Sequence, residues 1–199
     1  MRRALSRVPS IRRSCVGLHS ARATALCLCA ALLVISGCTT SRAIRAWHDA
    51  EDALAAGNRA KAVDRYSEAY GRDSGLVGAE ANRIALLARD PAATARVAEA
   101  YDALATQKAG RVEVVLLGAG LDALAGRAKE AFAAASALDA AVVAKADRTL
   151  GALSTSCGAL WRNQQLILLD TSLALHRPAP ATAAADRLFA RCATSLRPR

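Results

Sequence analysis

From Ala43 onward, apolar residues recur three and four places apart almost without interruption, the spacing of one helix face. A chain patterned this way must find a partner face for every helix it makes. The pattern breaks at Gly57-Asn58, Gly71 to Gly75, Asp90-Pro91, Ala109-Gly110, Gly126 and Pro178-Ala179-Pro180. Asp90 followed by Pro91 is a helix start, a capping carboxylate and then a proline in the first turn. Alanine is abundant, aromatics make up 4% and β-branched residues are few, which favours helices that approach closely. Val112 to Leu117 is the best strand candidate, yet it sits at helical length and spacing. The expected fold class is all-α.

The helices also repeat. Ala56-Gly57-Asn58-Arg59-Ala60-Lys61-Ala62 reappears as Ala125-Gly126-Arg127-Ala128-Lys129-Glu130-Ala131. The two glycines stand 69 residues apart, close to two units of about 34. Between them, Val97, Tyr101 and Leu104 follow Ala62, Tyr66 and Ala69 at 35 residues, and Ala131, Ala135 and Leu138 follow at 34. This resembles the tetratricopeptide repeat, a helix-turn-helix unit. The resemblance covers residues 43–142, or three units, and is best from Ala50 to Asp73. Ser74 stands where the family usually has proline, and the middle unit lacks the turn glycine. Another α-hairpin bundle is the alternative architecture.

Residues 143–199 do not continue the pattern well. Ala144 to Leu175 reads as one long helix, or two broken near Gly151 or Gly158. Pro178 and Pro180 then break the chain, and Ala181 to Cys192 forms a last helix. Helical solenoids need an end cap over the exposed core face, and this C-terminal hairpin is the candidate.

The N-terminus has a different character. Residues 1–22 carry Arg2, Arg3, Arg7, Arg12, Arg13 and Arg22 without one acid. Ala23 to Ile35 is apolar apart from Thr24. As a helix it spans about 20 Å, short of a hydrocarbon core of about 30 Å, so it fits a signal-peptide core better than a permanent span. It closes on Leu33-Val34-Ile35-Ser36-Gly37-Cys38. This resembles a bacterial lipoprotein signal. The resemblance implies cleavage after Gly37 and palmitate-type acyl chains on Cys38, with residues 38–42 as a short tether. Two or three chains anchor almost irreversibly, at about 0.8 kcal/mol per buried methylene. Thr39 in place of Asp favours the outer membrane, periplasmic face.

Removing residues 1–37 leaves 162 residues with 21 Lys+Arg against 17 Asp+Glu, a formal charge of +4 rather than +10. The high basicity belongs to the leader, so a nucleic-acid reading from net charge fails. Of six cysteines, Cys15, Cys27 and Cys29 leave with the leader and Cys38 is lipidated. Cys157 and Cys192 remain, either as a disulfide, as an even pair in an exported protein suggests, or as two buried thiols. Their spacing offers no metal motif.

Candidates for catalysis are absent from the pattern. His48 and His176 read as exposed or capping residues, Gly118-Ala119-Gly120 is a small-residue patch, and Glu51-Asp52 are consecutive and do not face each other. No catalytic set, cofactor or metal is expected. What remains is binding. In the family resembled, the first helix of each unit lines a concave groove. Those positions here are Ile44, Trp47, Glu51 and Leu54, then Asn82, Leu86 and Arg89 with Arg83 beside them, then Glu113, Leu116 and Gly120. Trp47, Glu51, Asn82, Arg83 and Leu86 are the candidate partner-binding face. Trp47 has two readings, a binding anchor or core packing. Trp47 and Glu51 occupy positions where family members clamp a C-terminal carboxylate, which argues against that ligand. The expected function is a lipid-anchored, non-enzymatic adaptor for an envelope protein or peptide segment in a secretion, pilus or envelope-assembly system. The alternative is a small-ligand or lipid-binding lipoprotein with an apolar cavity between the repeats and the C-terminal hairpin.

Overall fold

A computed structural model describes residues 40–150 and 158–192. Gly37, Cys38 and Cys157 lie outside them. The described residues form nine α-helices and one short 3-10 turn, with no strand among them. In chain order they are α1 (40–55), α2 (Arg59–Arg72), α3 (Val77–Leu87), the 3-10 turn Pro91–Ala93, α4 (Thr94–Gln107), α5 (Val112–Leu124), α6 (Ala128–Ala137), α7 (Ala140–Leu150), α8 (Ala159–Ala174) and α9 (Pro178–Cys192). The fold is an all-α array of hairpins, as the periodicity predicts.

The helix α1 is already under way at Thr40, so residues 40–42, expected as tether, are its exposed first turn. Val112 to Leu117 is helical. It opens α5, which is apolar apart from Glu113 and Asp122 and packs against α3, α4, α6, α7 and α8. A helix surrounded in this way shows little polar face.

The hairpins interlock through small side chains. Trp47, Ala50 and Ala53 of α1 meet Ala62, Tyr66 and Ala69 of α2 and Ala79 of α3. A second cluster joins Val77 and Ile84 of α3 to Val97 and Leu104 of α4 and Val114 and Leu117 of α5. The third joins Val112 and Leu116 of α5 to Val143 of α7, Leu160 and Trp161 of α8 and Cys192 of α9. Ala62, Tyr66, Ala69, Ala131 and Ala135, expected as packing residues, are all 0% exposed.

Three of the turns are the same turn. After α1, Gly57 N–H donates to Leu54 O (2.9 Å) and Asn58 N–H to Ala53 O (2.8 Å). After α5, Gly126 donates to Ala123 O (3.1 Å) and Arg127 to Asp122 O (2.8 Å). After α8, His176 donates to Leu173 O (3.1 Å) and Arg177 to Ser172 O (2.8 Å). This pair of bonds closes a helix through a left-handed residue. The left-handed residues are Gly57 (φ 74), Gly126 (φ 76) and His176 (φ 54). Five places later stand Ala62, Ala131 and Ala181, each buried. The α8–α9 hairpin is therefore built like α1–α2 and α5–α6, and α8 packs on α5 and α6. It continues the array as well as ending it. The helix α7 is inserted before it, and the boundary drawn at residue 142 falls inside α7.

The prolines of α9 do not break the chain. Pro178 is the first residue of α9 and Pro180 lies in its first turn, where an amide hydrogen has no helical acceptor in any case. The reversal sits one step earlier, at His176. Ala144 to Leu175 divides into α7 and α8, with Gly158 (φ 80) immediately before α8. The N-cap residue Gly158 has no side chain to cap α8. Asp147 of α7 does so from a distance, its carboxylate accepting from Leu160 N–H (2.9 Å) and Trp161 N–H (3.1 Å). A carboxylate there meets two orphan donors and the positive end of the helix dipole.

A left-handed conformation costs an L-residue about 1–2 kcal/mol and a glycine almost nothing. His176→Gly should raise the unfolding free energy by about 1 kcal/mol, and Gly126→Ala should lower it by a similar amount. Denaturant titrations of the two variants check this.

Candidate binding cleft

The helices α3, α5 and α8 lie side by side, α5 in the middle, packed on both neighbours. Along their shared face runs a cleft of about 400 Å³. Its α3 wall is small, with Gly78, Ala81 and Ala85. Its α8 wall is large, with Leu160, Leu166 and Ile167. The floor is α5, with Leu116, Gly120 and Leu124. Polar groups are few and sit at intervals: Asn82 and Arg89 on the α3 side, Asn163 and Asp170 on the α8 side, and Glu113 on α5.

Gly120 marks open space on the α5 side of the cleft. A Cβ placed there meets nothing within 4 Å, so the glycine leaves the middle of the floor open. Gly78 has the opposite reason to be glycine. A Cβ there would sit 2.9 Å from Trp47 Cη2, so the indole seats directly on the α3 backbone.

Trp47 is thus a core residue that also shows an edge to the cleft. It is 5% exposed and packs edge-on against Tyr66, with ring centroids 5.6 Å apart and planes at 85°, a favoured aromatic geometry. The Tyr66 hydroxyl donates to the Glu51 carboxylate. Burial pushes the Tyr66 phenol well above the usual tyrosine range, and the bond to Glu51 pushes it further, with Asn82 pulling the other way. Glu113 is 3% exposed and is neutralised by Arg111, at 2.8 Å. That hydrogen bond raises the Arg111 guanidinium above its ordinary value.

The expected binding residues separate into two groups. Trp47 and Asn82 line the cleft, with Arg89, Glu113, Leu116 and Gly120. Glu51, Arg83 and Leu86 do not. Glu51 serves Tyr66. Leu86 packs against the α1–α2 core. Arg83 turns to the opposite groove between α2, α3 and α4, bound to Glu80 at 2.6 Å and 2.8 Å. Arg83 and Asn82 are neighbours in sequence, and one step on a helix turns a side chain by about 100°. The apolar cavity expected, in the alternative reading, between the repeats and the C-terminal hairpin is this cleft, but the α8 residues of its wall were not named. The signal for them is the spacing of Leu160, Ile167 and Asn163 on a helix that follows the same reversal as α1 and α5.

His48 and His176 are both exposed. Among the described residues no group of three His, Cys, Asp or Glu is placed to hold a metal ion, and no helix is long and apolar enough to cross a membrane. No protein-family model, curated protein or solved structure matches the chain.

Trp47→Ala should cost about 3–5 kcal/mol, as for other buried aromatics cut to alanine, so it acts on stability first. Tyr66 gives a pH dependence whose sign follows from its raised pKa. Its contribution is fully present below about pH 10, where unfolded tyrosine ionises, and is lost as pH rises through the higher folded value. Unfolding free energy should fall with pH above about 10, less steeply in Tyr66→Phe. Denaturant titrations across that range measure both slopes.

Proposed function

We propose that this chain is a lipid-anchored envelope protein whose tetratricopeptide-like array docks an apolar segment of a partner protein in the α3–α5–α8 cleft. The cleft carries the proposal. It is largely apolar, its floor is the mostly apolar α5, and Gly120 has free space above it. A helix or short peptide fits such a groove by seating apolar anchors between the walls. The three like turns support the repeat reading. The lipobox-like Ile35-Ser36-Gly37-Cys38 supports anchorage at the periplasmic face of an envelope membrane, with lipid on Cys38. The even pair Cys157 and Cys192 left after the leader supports a disulfide between them and an oxidising compartment. The partner we favour belongs to a secretion, pilus or envelope-assembly system, and the role is non-enzymatic.

A second reading has its own observation. The cleft volume lies within the range of about 300–1,000 Å³ that small-molecule sites occupy, so a small apolar ligand or lipid is the alternative occupant.

The test is in-cell crosslinking of the full-length chain, followed by purification and mass spectrometry, with Gly120→Trp and Cys38→Ala in parallel. Gly120→Trp fills the cleft from a position with free space around it. It should reduce partner recovery at least tenfold without loss of helicity, and Cys38→Ala should release the complex from the membrane. Gly120→Ala should keep the partner and add about 0.5–1 kcal/mol of stability, as helix-interior glycine replacement does. Partner recovery indifferent to Gly120→Trp removes the cleft from the function. Recovery of a lipid or small molecule with no protein moves the assignment to the second reading.

A further inference from the structure

The cleft is lopsided in two ways that match each other. Its α3 wall is built from alanine and glycine, and its α8 wall from leucine and isoleucine. Its charges divide the same way. Arg89 is exposed at the C-terminal end of α3 and Asp170 is exposed on α8. Neither forms an ion pair with another described residue. Of the large apolar side chains left in solvent, Leu124 at the end of α5 (65% exposed) and Leu166 (42%) line the cleft, and Leu173 (58%) follows on α8; Val142 on α7 and Phe189 on α9 lie outside it. Leu166 and Leu173 are two helical turns apart, with Asp170 between them on one stripe of α8.

We propose that this face binds a second copy of the chain in a two-fold dimer centred on Leu124. The proposal rests on the reading of the cleft as a docking surface and names what covers it when the partner is absent. A two-fold axis running along α5 exchanges the walls. The leucines of one α8 then meet the small residues Ala81 and Ala85 on the α3 of the other copy. The same operation sets Arg89 of each copy against Asp170 of its mate, twice over. A surface that is self-complementary in both size and charge is what an isologous interface requires. Any other helix would have to bring an anion for Arg89, a cation for Asp170 and bulk for the alanines. A second copy brings all three by symmetry. The partner protein then competes with the dimer for one site.

The experiment uses intact cells expressing the full-length chain, oxidised with copper phenanthroline and read on non-reducing gels. Leu124→Cys should crosslink to its own copy, because the axis passes beside it. Phe189→Cys is equally accessible, 75% exposed on α9, and should stay monomeric. Adding Arg89→Glu to Leu124→Cys should cut the crosslink at least tenfold, and adding Asp170→Arg as well should restore it. Circular dichroism of the charge variants confirms that they fold. Absence of a crosslink at Leu124→Cys, equal crosslinking at Phe189→Cys, or no rescue by the double reversal overturns the dimer. If Gly120→Trp still abolishes partner recovery in that case, the adaptor reading stands and this inference alone falls. A rescued crosslink alongside partner recovery that ignores Gly120→Trp supports the dimer and removes the adaptor.

Discussion

The arrangement of this protein follows from one helix with little outside. Residues Val112 to Leu124 are apolar apart from Glu113 and Asp122, which Arg111 and Arg127 pair. Burying a carboxylate without such a partner costs several kcal/mol. Every face of α5 therefore demands cover. The helices α3 and α8 take two sides, α6 packs alongside, and α4 and α7 touch it more lightly. The stretch that remains open, from Leu116 past Gly120 to Leu124, is the floor of the cleft. The cleft is thus the part of α5 that its neighbours leave uncovered.

The rest of the core is thin. Ala50, Ala62, Ala69, Ala79, Ala131 and Ala135 are all fully buried, and methyl groups let backbones approach without burying much area each. At about 25 cal/mol per Å² of apolar surface, such contacts stabilise modestly, so the few large residues matter disproportionately. They stand toward the two ends of the array. Trp47 and Tyr66 fasten the first hairpin, and Trp161 fastens the last, with the Arg191 guanidinium 4.5 Å above its ring. A cation over an indole face contributes on the order of 0.5–2 kcal/mol, depending on exposure.

The helical class and the turns at Gly57, Asp90-Pro91, Gly110 and Gly126 were legible because glycine and proline mark them chemically. The end of α8 was legible at Leu175, with His176 as a capping residue, but its left-handed turn was not, because that geometry is held there by a residue that lacks the mark. The prolines that follow drew attention to the wrong place, since proline interrupts a helix everywhere except at its start. On the cleft, helical register from the repeat located Trp47, Asn82, Glu113 and Gly120. It failed for Arg83, one residue out of phase, and for Glu51, whose partner Tyr66 is 15 residues away in sequence. A cavity between the repeats and the C-terminal hairpin was expected in the alternative reading, but without a visible repeat signature nothing aligned the residues of α8 with α3 and α5.

The capping carboxylate of Asp147 carries a consequence for how the cleft is held open. The helix α8 begins with Ala159 and Leu160, both of which form cleft wall, yet its first amide hydrogens are secured by a helix that borders the cleft nowhere. That end of the wall is accordingly fixed in part by α7, through the Asp147 carboxylate and through Val143, which packs with Leu160 and Trp161. A change in α7 therefore reaches the cleft at the start of α8 without touching it.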